Sequence, residues 1–213
     1  MNASIRVLLT DDHVIVRSGL RRLLGQHDDF CVVAEAESGE QAYQLFGEVM
    51  PDVVVMDMSM PGIGGLEALR RIISRHPDAK IIMYSMHENT TFASQAMAAG
   101  AMGYITKSGK ADDLVTAVRG GAEGKRFLSP VIAHNIALQS MTGGDNPLQT
   151  LTTREFEVFS LLAEGKGTDE VATVLSIGQK TVANYQCSLR HKLNVSNPVE
   201  LVRLAIRYGV IDG

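Results

Sequence analysis

The stretch Pro51-Asp52-Val53-Val54-Val55-Met56-Asp57-Met58-Ser59-Met60-Pro61-Gly62 decides the fold. A short apolar run ends in one carboxylate, Asp57, and a Pro-Gly breaker follows. A run of this length with Pro on both sides predicts a strand buried on both faces of a parallel sheet. Open parallel sheets place ligand sites at the carboxyl ends of their strands, and Asp57 falls there. A lone Asp after a strand also reads as the cap of the next helix. The rest of the chain must therefore supply it with partners.

Upstream, Ile5–Thr10 repeats the buried-strand pattern and ends in Asp11-Asp12. Val14, Val16, Leu20, Leu23 and Leu24 then recur at helical spacing. Phe30–Ala36 reads as a second strand. Ser38-Gly39-Glu40 opens a helix whose buried stripe is Ala42, Leu45, Phe46 and Val49. Downstream of the opening stretch, Leu66, Leu69, Ile72 and Ile73 mark a third helix. Lys80–Tyr84 is a fourth strand ending at Ser85, and Thr90–Ala99 a helix stopped by Gly100. Met102–Ile105 is a fifth strand ending at Thr106-Lys107, and Ala111–Ala122 a fifth helix. Strict strand–helix alternation predicts an α/β domain over residues 1–125, flavodoxin-like (βα)5, with a five-stranded parallel sheet. Its strand ends gather Asp11, Asp12, Asp57, Ser85 and Lys107 at one crevice. Each alone is an ordinary polar loop residue; together they are a site.

That site has the parts of phosphoryl transfer. Carboxylates crowded at one crevice repel unless a cation joins them, and ligation by oxygen alone suits Mg²⁺ or Mn²⁺. An Asp carboxylate can accept a phosphoryl group as an acyl phosphate. Lys107 would neutralise one phosphoryl oxygen, and the Ser85 hydroxyl would donate to another.

Residues 126–147 read as a helical segment and linker. Ser129–Met141 is the helix, with Ile132, Ile136 and Leu138 apolar, and Thr142–Pro147 the linker. Over residues 148–213 the periodicity is helical only. Thr152-Thr153-Arg154-Glu155 is a capping box. Two short helices around Ser176-Ile177-Gly178, then Lys180–Leu193 and Val199–Arg207, predict a small all-α helix-turn-helix domain.

Asp11-Asp12, Asp57 with Met60-Pro61-Gly62, Ser85 and Lys107 closely resemble the receiver domain of bacterial two-component response regulators. The resemblance implies that a sensor histidine kinase phosphorylates Asp57. It implies Asp12 and Asp57 as direct Mg²⁺ ligands, Asp11 as a mainly water-mediated one, and the Ser59 carbonyl as a further one. It also implies Ser85 and Tyr104 as a switch pair, although Tyr104 reads equally as a half-buried aromatic on an edge strand. Ser108 stands where many receivers have Pro, so a cis peptide is not favoured there.

Residues 150–208 resemble the LuxR/NarL-type helix-turn-helix through Leu151–Glu155, Leu162–Gly165, Glu170–Ala172, Lys180–Val182 and Lys192-Leu193. Both modules together define the NarL/FixJ class, and Val199–Gly209 looks most like its GacA/UvrY branch. The resemblance implies binding to promoter DNA as a homodimer. Ala183, Asn184 and Cys187 would face base edges, although they also read as small exposed helix residues. Lys180 and Thr181 suit phosphate contacts, Arg190 and Lys192 add local positive charge, and Val199 and Val202 contribute to pairing.

Charge sharpens this reading. The whole chain carries a net charge of -4, and residues 148–213 hold as many acids as bases. Residues 178–193 alone are basic, with no acid among them. Gln186 and Ser188 stand where the branch usually has arginine, and Asp169 where Lys is frequent. These departures predict weaker non-specific affinity or a different operator. They also keep open a receiver-based protein-interaction regulator whose DNA binding is weak or lost. A further acid/base pair beside Asp57 is absent, which argues against an enzyme beyond self-phosphorylation and autodephosphorylation. Cys31 and Cys187 lack any CxxC context, and the sequence shows neither a signal peptide nor a membrane span. The expectation is a cytoplasmic protein with no membrane partner.

Overall fold

The computed structural model describes residues 4–142, 146–175 and 177–211. Six parallel strands form one sheet in the order β2-β1-β3-β4-β5-β6. They are β1 (Ile5–Thr10), β2 (Phe30–Ala36), β3 (Val53–Asp57), β4 (Ile81–Ser85), β5 (Gly103–Thr106) and β6 (Phe127–Leu128). Every residue of β3 is buried, which is why its sequence is apolar without alternation. Thr10 pairs with Met56 and Asp57 with Tyr84. This register brings the ends of β1, β3 and β4 level and sets Asp11, Asp57 and Ser85 at one edge.

Helices α1 (Val14–Leu24) and α5 (Ala111–Ala122) cover one face of the sheet, and α2 (Gly39–Val49), α3 (Gly64–Arg75) and α4 (Thr90–Ala98) the other. The Pro-Gly breaker fixes how α3 leaves the site. Gly62 and Gly64 have φ of +81° and +69°, conformations that glycine adopts at little cost. A Cβ on Gly65 would lie 1.8 Å from the Asp57 carbonyl oxygen, so only glycine lets α3 start this close to the end of β3. Glu40 on α2 accepts the Ile63 N–H at 3.0 Å and pins the loop.

Three expectations are corrected. The sheet has six strands, because Phe127–Leu128, within the segment read as helix and linker, pairs in parallel with Gly103-Tyr104. Two residues are too few to show a strand period. The close approach needs Gly103, whose Cβ would lie 2.8 Å from the Phe127 carbonyl oxygen. Tyr104 is therefore not on an edge strand, and it is fully buried. Val14, read as part of the buried stripe of α1, is 62% exposed because it is the first residue of the helix. Helix α6 (Pro130–Thr142) follows β6, with Ile132 buried, Ile136 half-buried and Leu138 exposed. Of the expected linker, residues 143–145 lie outside the described residues, and a 3-10 turn spans Pro147–Thr150.

The helical domain comprises α7 (Thr153–Ala163), α8 (Thr168–Val174), α9 (Gln179–Leu193) and α10 (Pro198–Arg207). It packs on the α3 and α4 side of the sheet, and its core is continuous with that side's core. Gln95 on α4 donates to the Leu148 and Leu151 carbonyls at 3.1 and 3.0 Å. Asn146 donates to Thr91 Oγ1 at 3.1 Å, and Asn89 to the Tyr208 carbonyl. The Phe92 and Phe156 rings meet edge to face with centroids 4.8 Å apart. No described helix is long and apolar enough to cross a membrane.

Glu157 on α7 sits in this interface at 14% exposure, paired with Arg154 at 2.8 Å. Its Oε1 closes on Gly64, and Glu67 and Arg70 of α3 are the receiver-side charges that act on it. Burial pushes its carboxyl up to about 7, although Arg154 opposes the shift. A carboxyl raised in the packed state takes up a proton there. Packing is therefore strongest below the ordinary carboxylate range and weakens as pH rises from about 4.5 to about 7. Glu157→Gln is expected to remove this dependence and hold the domains together at pH 8. Interdomain distances measured by double electron–electron resonance at pH 5 and pH 8 check it.

Candidate functional site

The crevice at the ends of β1, β3 and β5 is built around Lys107. Its Nζ lies 2.6 Å from Asp11 Oδ2 and 3.0 Å from Asp57 Oδ2, and both carboxylates are almost fully buried. Burial alone would depress the lysine. Its bonds to Asp11 and Asp57 outweigh that and hold the ammonium above its ordinary value. Burial raises Asp57, and Lys107 only partly offsets the rise. The Ser59 N–H also serves the Asp57 carboxylate. One lysine thus leaves the pair short of positive charge.

Asp12 completes the acidic set. Ligand atoms of Asp11, Asp12, His13 and Asp57 all lie within 4.8 Å of one another. Asp12 Oδ1 is closed to solvent and accepts no hydrogen bond, although His13 Nδ1 stands 2.9 Å away. A buried acceptor left without a donor is costly. Here it faces two further carboxylates, and a hard cation would satisfy all three. The donor set therefore fits Mg²⁺ or Mn²⁺. His13 was not singled out from the sequence, and its place directly after Asp11-Asp12 was the available signal.

The remaining predicted residues surround a loop between β4 and α4. Ser85 is fully buried, and its Oγ accepts the His87 N–H at 3.1 Å. The Tyr104 hydroxyl donates to the His87 carbonyl at 2.8 Å, and burial pushes that hydroxyl far above its ordinary value. Ser59 is exposed, with Oγ 3.2 Å from His87 Nε2. Burial depresses the His87 imidazole, so it is neutral at neutral pH. His87 is the second residue that sequence reasoning missed; nothing in its neighbours marks it. The Lys107–Ser108 peptide is trans. A cleft of about 440 Å³ runs from Asp12 and Ser59 beneath α7, between Met58, Met60, Phe92, Phe156 and Leu161.

The second site is α9. Lys180, Thr181, Ala183, Asn184, Cys187 and Arg190 are all exposed, and the receiver does not cover them. Lys192 differs: its Nζ is 2.7 Å from Glu155 Oε2 and 3.4 Å from the Thr150 carbonyl. Ser188 donates to Glu155 Oε1 at 2.6 Å, and Gln186 to Thr168 Oγ1 at 3.3 Å. Gln186 and Ser188 turn inward to α8 and α7, whereas Lys192 stays exposed and reaches across to Glu155. The sequence could not reveal this, because Glu155 reads there only as half of a capping box. On α10, Val199 is 59% exposed and Val202 half-buried.

Residues 7–119 match the response regulator receiver domain family, and residues 149–205 the bacterial regulatory proteins of the luxR family. The chain is 38% identical to response regulator GacA of Pseudomonas aeruginosa over 210 residues, 98% of either chain. It is 39% identical to response regulator UvrY of Escherichia coli, covering 98% of this chain and 96% of that one. Among solved structures, RcsB of Salmonella enterica serovar Typhimurium, bound to promoter rprA with phosphomimetic BeF3-, superposes with a TM-score of 0.73. That pair shares 26% identity and covers 94% of this chain and 98% of RcsB.

Glu155 is the hub of the helical domain. Its carboxylate is 7% exposed and accepts from Thr152 N, Ser188 and Lys192. Burial opposes its ionisation, but these donors prevail and hold it at about 2. A depressed carboxyl contributes stability that is complete above about 4.5 and is lost as pH falls toward about 2. Glu155→Gln is expected to lower the stability of the helical domain by roughly 2 kcal/mol at pH 7. The difference should shrink below pH 4, which urea denaturation at both pH values checks.

Proposed function

The chain belongs to the response regulators that join a receiver domain to a LuxR-type DNA-binding domain, and on that premise we propose that phosphorylation of Asp57 controls its binding to promoter DNA. The observation that carries this reading is Lys107 shared between Asp11 and Asp57 beside an Asp12 oxygen with no donor. Asp11, Asp12 and Asp57 would hold Mg²⁺, or Mn²⁺ in its place, with the Ser59 carbonyl as a further ligand. Such an ion screens phosphoryl oxygens and draws their charge.

The donor is a sensor histidine kinase, through its phosphorylated histidine. An Asp57 carboxylate oxygen attacks phosphorus, the O–P bond forms, and the donor's N–P bond breaks with its electron pair leaving on nitrogen. Lys107 already stands 3.0 Å from Asp57 Oδ2, within reach of a phosphoryl oxygen added there. The Ser85 hydroxyl donates to a second oxygen, and the Ser85–Tyr104 pair reports the change to the β4–α4 loop. The receiver domain comprises residues 1–125, residues 126–147 connect and lend β6 to its sheet, and residues 148–213 bind DNA. Helix α9 enters the major groove. Ala183, Asn184 and Cys187 face base edges, and Lys180, Thr181 and Arg190 face phosphates. A homodimer reads two half-sites, with Val199 and Val202 of α10 in the pairing surface.

A second reading, an interaction regulator with weak DNA binding, is favoured by Lys192, whose charge is engaged by Glu155. Titration of a promoter fragment with and without an acyl-phosphate donor separates the two. Tighter binding, on the order of tenfold, is expected for phosphorylated wild type and none for Asp57→Ala. Equal affinity in all four samples would overturn phosphorylation control. Across a salt series, Arg190→Ala should reduce the slope of log K against log salt by about 1. Lys192→Ala should leave the slope unchanged. A wild type with no salt-dependent binding favours the interaction regulator.

A further inference from the structure

We infer that His87 is the positioning residue through which the phosphorylation state of Asp57 sets the packing of the helical domain on the receiver. The inference rests on the reading that Asp57 is phosphorylated. His87 touches both sides of the problem. Its N–H is held by Ser85 Oγ at 3.1 Å and its carbonyl by the Tyr104 hydroxyl at 2.8 Å. Its imidazole lies 3.2 Å from Ser59 Oγ, two residues after Asp57. On the other side the imidazole stacks on Phe92, with centroids 4.0 Å apart and planes 11° from parallel. Phe92 meets Phe156 of α7 edge to face at 4.8 Å. Phe156 is fully buried and stacks in turn on Phe159 of the same helix. A continuous chain of contacts thus runs from the strand end beside Asp57 into the core of the helical domain.

The direction of the effect follows from hydrogen-bond strength. With Asp57 unmodified, Ser85 Oγ is the acceptor for the His87 N–H. A phosphoryl group is a charged acceptor and bonds a hydroxyl more strongly than neutral groups do. As Ser85 Oγ moves toward it, the His87 N–H loses its partner, and a backbone donor in a half-buried loop must find another. The loop then moves, and with it the ring that seats Phe92 against Phe156. Packing on the receiver and phosphorylation therefore draw on the same residue in opposite senses, and each weakens the other.

The chain carries its own reporters. Cys31 on β2 and Cys187 on α9 are its two cysteines, and both are exposed. Spin labels on them and double electron–electron resonance give the populations of packed and separated domains, before and after an acyl-phosphate donor with Mg²⁺. A phosphate-affinity gel gives the phosphorylated fraction independently. In wild type, phosphorylation is expected to raise the ratio of separated to packed molecules by at least about fivefold. His87→Ala should reach the same phosphorylated fraction while changing that ratio by less than about twofold. His87→Phe keeps a ring on Phe92 and should retain most of the wild-type change, a rescue that loss of fold alone does not produce. Phe156→Ala should lose the response to the same degree, and the double variant should lose no more. His87→Gln replaces His87→Ala if the latter does not fold.

A wild-type response in His87→Ala, or a loss in His87→Phe as complete as in His87→Ala, overturns the inference. Phosphorylated wild type with unchanged distances also overturns it and leaves the role of Asp57 intact. Wild type that the donor does not phosphorylate overturns both.

Discussion

The ammonium of Lys107 between two buried carboxylates is the constraint on which the receiver half depends. Asp11 and Asp57 are closed to solvent, and two unpaired carboxylates at that depth would repel each other and lose their hydration. Lys107 answers for both from the end of β5, 96 residues along the chain from Asp11. Its position requires β5 to lie in register beside β4, with Ser85 opposite Thr106. It also requires the end of β3 to remain open, which Gly65 permits by letting α3 start against the Asp57 carbonyl. The fold thus holds two acids at one place with a single cation and leaves a third, Asp12, with the His13 imidazole beside it. That donor set fits the metal ion and phosphoryl group of the proposed function.

The packed arrangement of the two domains limits how such a site can control the other half. The exposed residues of α9 are not covered by the receiver, and Val199 on α10 also faces solvent. Packing therefore does not work by masking these surfaces. What it fixes is orientation. Gln95 grips the carbonyls of Leu148 and Leu151, at the entrance to the helical domain, and Phe92 seats Phe156. Two recognition helices must sit one helical turn of DNA apart to read two half-sites. On the proposed pairing, a receiver bolted to α7 would set whether two copies reach that spacing, with the exposed face of α9 open throughout.

Much of this was legible in the sequence because strands buried on both faces leave a strong signal. The run Val53–Met56 admits no exposed face, and the strand-end residues Asp11, Asp57, Ser85 and Lys107 follow from alternation alone. What escaped were features made by contact between distant segments. Phe127–Leu128 is too short to carry a period, and its strand exists because Gly103 lets it approach. His87 has no local signature; its importance comes from four neighbours, Ser59, Ser85, Phe92 and Tyr104, that only the fold assembles. Val14 fitted a helical stripe by spacing but lies at the helix start, where the stripe has nothing to pack against.

The helical domain shows the same limit in its charge. Counted along the sequence, Lys192 adds to the positive charge of α9, whereas in the fold its Nζ belongs to Glu155. The pairing follows from the capping box. Once Glu155 turns back to Thr152 N, its second oxygen lies inward, and burial there requires donors. Ser188 provides one there, and Lys192 joins Thr152 N on the first oxygen. A larger guanidinium at position 188 would have to displace the hydroxyl that now meets Glu155 at 2.6 Å. Ser188 is therefore matched in size to this hub. On α9, Lys180 and Arg190 are the exposed lysine and arginine that Glu155 does not engage.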